Sequence, residues 1–201
     1  MKKFYLIVFT FICIIISYSE EYVLFGGEAY NFNEYIESMS RVNYHMKYDD
    51  EYKVYYLFLS DYSNSVWIEL HDKEMNLLRN NINKYYEWEK LAVEKQVKLE
   101  KELPNSSFIT NVTWETLDKW YSSNFLNLNF IFFSQNINRH QLVIYTNKVE
   151  STENEYIDWK MEDLYFDKND VDYLYENIKV ESINNFIKKH EEQKNTESLF
   201  N

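Results

Sequence analysis

The chain predicts an α+β domain: an antiparallel sheet of about five to seven strands, with one long helix and C-terminal helices packed on one face. Three observations point there. Runs dense in aromatic and β-branched residues come in pairs, 52–59 with 65–70 and 124–134 with 141–149, each pair joined by a polar turn cluster. A stretch from Asp72 without glycine or proline carries Met75, Leu78, Ile82, Tyr85 and Ala92 at helical spacing. Helices do not alternate regularly with strands, as a doubly wound parallel sheet requires.

In chain order, the first element is an address. Lys2 and Lys3 precede an apolar run from Phe4 to Ile16, which breaks at Ser17-Tyr18-Ser19 before Glu20. A basic start, a short apolar core and small residues before the break describe a secretory signal peptide cleaved after Ser19. The run is shorter than the roughly 20 residues of a membrane span. Residues 20–201 then form one exported domain, periplasmic or extracellular. An uncleaved N-terminal anchor is the alternative, and lipidation of Cys13 a second, opposed by Ile12 where a small residue is expected.

Tyr22–Phe25 reads as a short strand punctuated by Gly26-Gly27. The stretch Asn33–Met46 suits a helix, with Tyr35, Ile36, Met39 and Val42 along one side, or an irregular covering segment. The 52–59 and 65–70 runs form a hairpin, and Val66, Ile68 and Leu70 alternate with Trp67 and Glu69. Beyond the long helix, Val97 and Leu99 alternate as in a strand, while Glu94 and Lys98 make a helical pair; Pro104 ends either version. Phe108–Trp114 is the next strand, followed by the break Glu115–Lys119. Asn124–Ser134 is the densest strand and pairs back through Gln135–Arg139 onto Gln141–Val149. Tyr156–Phe166 predicts another strand, Asp170–Ile178 a helix, and Ile183, Phe186 and Ile187 a closing amphipathic piece, with a frayed polar tail from about residue 191.

An internal echo links the halves. Met75, Leu77, Leu78, Asn81 and Ile82 match Val171, Tyr173, Leu174, Asn177 and Ile178 at a constant offset of 96. Duplication of a strand–loop–helix unit accounts for it, as does convergence of capped amphipathic helices.

Composition excludes several functions. The formal charge is −12, and loss of Lys2 and Lys3 makes it more negative still. Such a surface repels nucleic-acid backbones and anionic membranes. Cys13 is the only cysteine, so the exported chain has no disulfide, zinc-thiolate site or cysteine nucleophile. Two glycines leave no phosphate-binding loop, so no nucleotide cofactor is expected.

Catalytic and metal patterns fail on inspection. The run Asp167-Lys168-Asn169-Asp170-Val171-Asp172 opens like a calcium loop, but position 5 is Val171, position 6 is Asp172 and position 12 is Ile178. It reads instead as a helix N-terminus. His190-Glu191-Glu192 begins like a metalloprotease helix, yet Lys occupies position 194. His71 lies among Glu69, Asp72 and Glu74, a metal set only if folding adds a ligand; no metal is expected. There is no Gly-x-Ser-x-Gly elbow. A carboxylate pair for hydrolysis is recognised by separation in space; Glu69, Glu115 and Asp118 near Trp67, Trp114 and Trp120 are its candidates.

What remains is binding. Large aromatics give contact area at low entropic cost and serve as interface anchors. Trp67, Trp114 and Trp120 are therefore the candidate partner-binding residues, with core packing as their other explanation. The leading expectation is a non-catalytic exported binding protein whose partner is a protein or an envelope component. A carboxylate-pair hydrolase is the alternative, as is an inhibitor or immunity-type protein whose acidity steers it to a basic target.

Overall fold

A computed structural model describes residues 21–33, 38–60, 65–116 and 118–200. The expected signal peptide lies outside the described residues.

The strands alternate inward and outward as the sequence suggests, but the sheet they build is closed. In chain order come β1 (Glu21–Asn33), β2 (Ser38–Asp49), β3 (Val54–Ser60), β4 (Ser65–Leu70), α1 (Asp72–Lys95), β5 (Glu100–Glu102), β6 (Phe108–Thr116), β7 (Lys119–Asn136) and β8 (Arg139–Thr146). Then follow β9 (Val149–Glu150), β10 (Asp158–Trp159), β11 (Leu164–Asp167), α2 (Lys168–Ile178) and α3 (Val180–Glu197). The main sheet runs β5-β7-β6-β4-β3-β2-β1-β11-β8, and β8 pairs back onto β7. Eight antiparallel strands thus close into a barrel, with β5 as an extra strand beside the far half of β7.

This overturns the expected open α+β sheet. Closure depends on β1 pairing with β11 and β4 with β6, joins between strands far apart in the chain. Periodicity sets which face of a strand is buried, and it is silent on which strands meet at the edges. The 18-residue β7 supplies the reach: its first half pairs with β6 and its second half with β8. The helices sit at one barrel end rather than across an open face. Leu78 of α1 and Leu174 of α2 both border the barrel interior.

Local expectations also shift. Asn33–Met46 is not helical where described: Ser38–Asp49 is strand β2, with Tyr44, Met46 and Tyr48 buried at period two. Gly26 and Gly27 do not end β1; they lie inside it. A Cβ on Gly27 would stand 2.5 Å from the Tyr44 hydroxyl, and one on Gly26 2.8 Å from His45 Cδ2. Glycine here makes room for two rings packed across the strand pair. The expected Tyr156–Phe166 strand is strand only at Asp158–Trp159 and Leu164–Asp167.

The two halves repeat one topology. Strands β1, β2, β3 and β4 form a meander that feeds α1; β6, β7, β8 and β11 form a second meander that feeds α2. The joins match as well, β4 onto β6 and β11 onto β1. Each helix starts alike: Glu74 accepts the His71 backbone N–H, and Asp170 accepts that of Asp167, both at 3.2 Å. From that offset of 96, the pair registers carry the equivalence round the barrel. Leu70 matches Phe166, Leu57 matches Ile144, Met46 matches Phe130 and Gly27 matches Phe108. The circuit closes consistently, because Ile68 opposes Val112 as Leu164 opposes Asn31. Volume is exchanged across equivalent pairs: Gly27 faces Tyr44 in one half, and Phe108 faces Leu128 in the other.

The interior is filled. Tyr85 and Met75 of α1 and Ile178 of α2 are fully buried, with Phe130 and Phe132 of β7. The void left at the centre measures about 20 Å³, and the surface facing it is apolar. That is room for no more than a single water, and a site without polar partners stays dry. At the other end, segment 147–163 folds back over the barrel mouth. Trp159 stacks on Trp114 with centroids 6.1 Å apart, and Met161 donates its backbone N–H to Thr146 Oγ1.

Outward positions carry Arg41, Lys47, Glu69, Asn111 and Glu115 along β2, β4 and β6. Apolar inside and charged outside is the reverse of a transmembrane barrel. No described helix is long and apolar enough to cross a membrane.

Candidate partner-binding face

The outer surface of β2, β3, β4, β6 and β7 is convex and continuous. One cross-strand row runs His45, Phe58, Trp67, Thr113 and Ser122. Period-two alternation puts these side chains outward, because their neighbours Met46, Leu57, Ile68 and Val112 fill the core. Phe58 and Trp67 pack with centroids 4.7 Å apart, and Tyr56 meets Trp67 edge-on at 5.8 Å. The Lys47 ammonium lies 4.1 Å from the Trp67 ring centroid and 5.5 Å from that of Phe58. A cation over an aromatic face is held by the ring quadrupole, so the lysine stem and two rings form one ordered unit.

Trp120 stands on the same outer face, opposite Glu115, and is 47% exposed. Farther along β6 and β7, Ile109 is 63% and Phe125 68% exposed. The sequence candidates therefore separate. Trp67 and Trp120 share the outer surface. Trp114, one residue from Thr113 and turned inward, is 1% exposed and belongs to the core. Sequence reasoning missed Lys47 and Phe58; their role depends on strand register, which places both against Trp67.

The acids considered for hydrolysis do not gather in a cleft. Glu69 accepts a hydrogen bond from Asn111 Nδ2 at 2.7 Å, Glu115 lies beside Trp120, and Asp118 occupies a left-handed turn residue between β6 and β7. Two carboxyls are pushed above their ordinary range. Burial raises Asp163 against the pull of Lys160; burial also raises Asp170, opposed by its hydrogen bond from the Asp167 backbone. They flank β11 at its two ends, so neither faces the other as an acid–base pair. His71 is exposed before α1, and among the described residues no three His, Asp or Glu side chains converge as a metal site.

Elsewhere, Arg139 makes a bidentate pair with Asp167 at 2.9 and 2.8 Å, tying β8 to the start of α2. His140 is buried; its Nδ1 shares a hydrogen bond with Ser134 Oγ at 2.8 Å and its ring stacks on Phe132. Both are structural ties rather than parts of the outer face. Comparison with protein-family models, with characterised protein sequences and with solved structures finds no match to this chain.

Proposed function

We propose that this is an exported, non-catalytic binding protein that engages a protein partner through the outer face of β2, β3, β4, β6 and β7. What carries the reading is the Phe58–Trp67–Lys47 cluster, with Trp120 exposed on the same convex surface. Two further observations support it. The equivalent positions in the other half, Ile131, Tyr145 and Asp163, carry no such cluster, and Tyr145 donates its hydroxyl to Glu102 of β5 at 2.6 Å. The strongly acidic chain also favours a partner with a basic rim, as an inhibitor or immunity-type protein would have.

The test is affinity capture from the source envelope fraction with residues 20–201 as bait, read by mass spectrometry. Trp67→Ala and Trp120→Ala should each weaken capture about tenfold, an interface-anchor effect, while moving stability by less than about 1 kcal/mol. Large stability losses in both variants, with no selective loss of capture, would remove this face from consideration.

A further inference from the structure

We propose a second, separate site that binds a free apolar α-amino acid as its zwitterion, in the pocket between the barrel mouth and the 147–163 segment. The pocket encloses about 210 Å³ and lies away from the convex partner face. Its floor is apolar: Val42, Leu59 and Val66 from β2, β3 and β4, with Met161 and Trp159 from the covering segment. Its rim carries Asn31, Lys160 and Glu162.

Size and charge select the ligand. The volume holds about seven waters at liquid density, below the roughly 300 Å³ of drug-sized ligand sites, and suits one aliphatic side chain with its α-carbon. Lys160 and Glu162 both line the pocket beside the buried Met161, so its lining carries one cation and one anion. A ligand bearing a single charge would engage only one of the two rim charges. An α-amino acid satisfies both, with its carboxylate toward Lys160 and its ammonium toward Glu162. Glu162 is already oriented, because Asn31 Nδ2 donates to its carboxylate and Ser40 Oγ in turn donates to Asn31 Oδ1 at 2.5 Å. A rim positioned before binding loses less entropy when the ligand arrives. Peptide termini offer only one of the two charges, which distinguishes them from the free amino acid.

Isothermal titration of the purified protein with leucine and methionine tests this, with N-acetyl-leucine and leucinamide as single-charge controls. Saturable one-site binding is expected with Kd of about 1 mM or tighter, and each control should bind about tenfold more weakly. Lys160→Gln should weaken leucine but not leucinamide, and Glu162→Gln should weaken leucine but not N-acetyl-leucine. Both side chains are exposed, so neither change threatens folding. Trp67→Ala should not alter leucine binding, since the sites are separate. No saturable heat with leucine or methionine up to about 50 mM, controls that bind as well as leucine, or rim variants without charge-selective effects would each overturn the proposal.

Discussion

The two halves of the barrel share a framework and differ in what they do with their outer surfaces. Inside, equivalent positions are apolar in both: Ile68 and Leu164, Met75 and Val171, Leu78 and Leu174, Ile82 and Ile178 are all buried. Outside, Lys47, Phe58 and Trp67 of the first half correspond to Ile131, Tyr145 and Asp163 of the second. The second surface is tied to the protein's own edge strand and packs its rings on one another. Tyr145 reaches β5, Phe133 packs edge-on against Tyr165 at 5.9 Å, and Val143 is buried although it points away from the barrel interior. The connections diverge too. Residues 61–64 join β3 to β4, whereas 147–163 join β8 to β11 and close one barrel mouth. Core positions answer to packing density, which punishes change in either half. Outer positions answer only to what covers them, so one half could acquire its own edge strand while the other kept an ordered aromatic surface.

Several measurements would break or sharpen that contrast. The largest effect belongs to the equivalent core residues Met46 and Phe130, both fully buried. Met46→Ala and Phe130→Ala should each cost about 2–5 kcal/mol in urea unfolding, within a single cooperative transition. Two separate transitions would show that the halves do not share one core. Asp167→Ala removes both the Arg139 pair and the acid that precedes α2, and should cost about 1–2 kcal/mol. His71→Ala, which has no such pair, should cost less; equal losses would erase this difference between the helix starts.

Tyr145→Phe tests the tie to β5. Loss of its hydrogen bond to Glu102 should lower stability by about 0.5–1 kcal/mol and speed amide exchange in β5, measured by hydrogen–deuterium exchange. The same bond pushes the Tyr145 phenol up to about 12, with burial adding to it. An unchanged β5 would mean that Tyr145 does not hold the strand in place. The smallest effect is a pH signature at the position equivalent to Trp67. Burial raises the folded-state pKa of Asp163, so the folded state binds this proton more tightly than the unfolded chain. Its ionisation therefore disfavours folding above the raised pKa, and the penalty fades as pH falls toward the ordinary carboxylate range near about 3.9. Asp163→Asn should raise the melting temperature at pH 7 and lose that advantage below about pH 4. A constant difference at all pH values would assign the effect to packing instead.

Much of the local structure was legible in the sequence. The 52–59 and 65–70 hairpin, the helix from residue 72, and the strand pair 124–134 with 141–149 stand where their periodicities put them. The helical echo at offset 96 also proved to mark a repeated topology. Failures cluster where one residue serves two readings. In 38–49, Met39 and Val42 fit a helical stripe, yet Val42, Tyr44, Met46 and Tyr48 also fit a strand, and sheet pairing on both sides selects the strand. Gly26-Gly27 looked like punctuation because the rings that need the space, Tyr44 and His45, come from another strand. The proposed partner face was half legible. Three tryptophans were visible, but only the register places Lys47 and Phe58 against Trp67 and turns Trp114 away.

By itself, the sequence determined composition, charge, strand and helix periodicity, and a scarcity of glycine that leaves no phosphate-binding loop. These properties depend on residue identity and on neighbours a few positions apart. Tertiary structure alone decided that β1 meets β11 and β4 meets β6, that Trp114 stacks on Trp159 while Trp67 faces outward, and that β5 extends the sheet beside β7. Closure of a barrel is a relation between edges far apart in the chain, and no local pattern records which edge finds which.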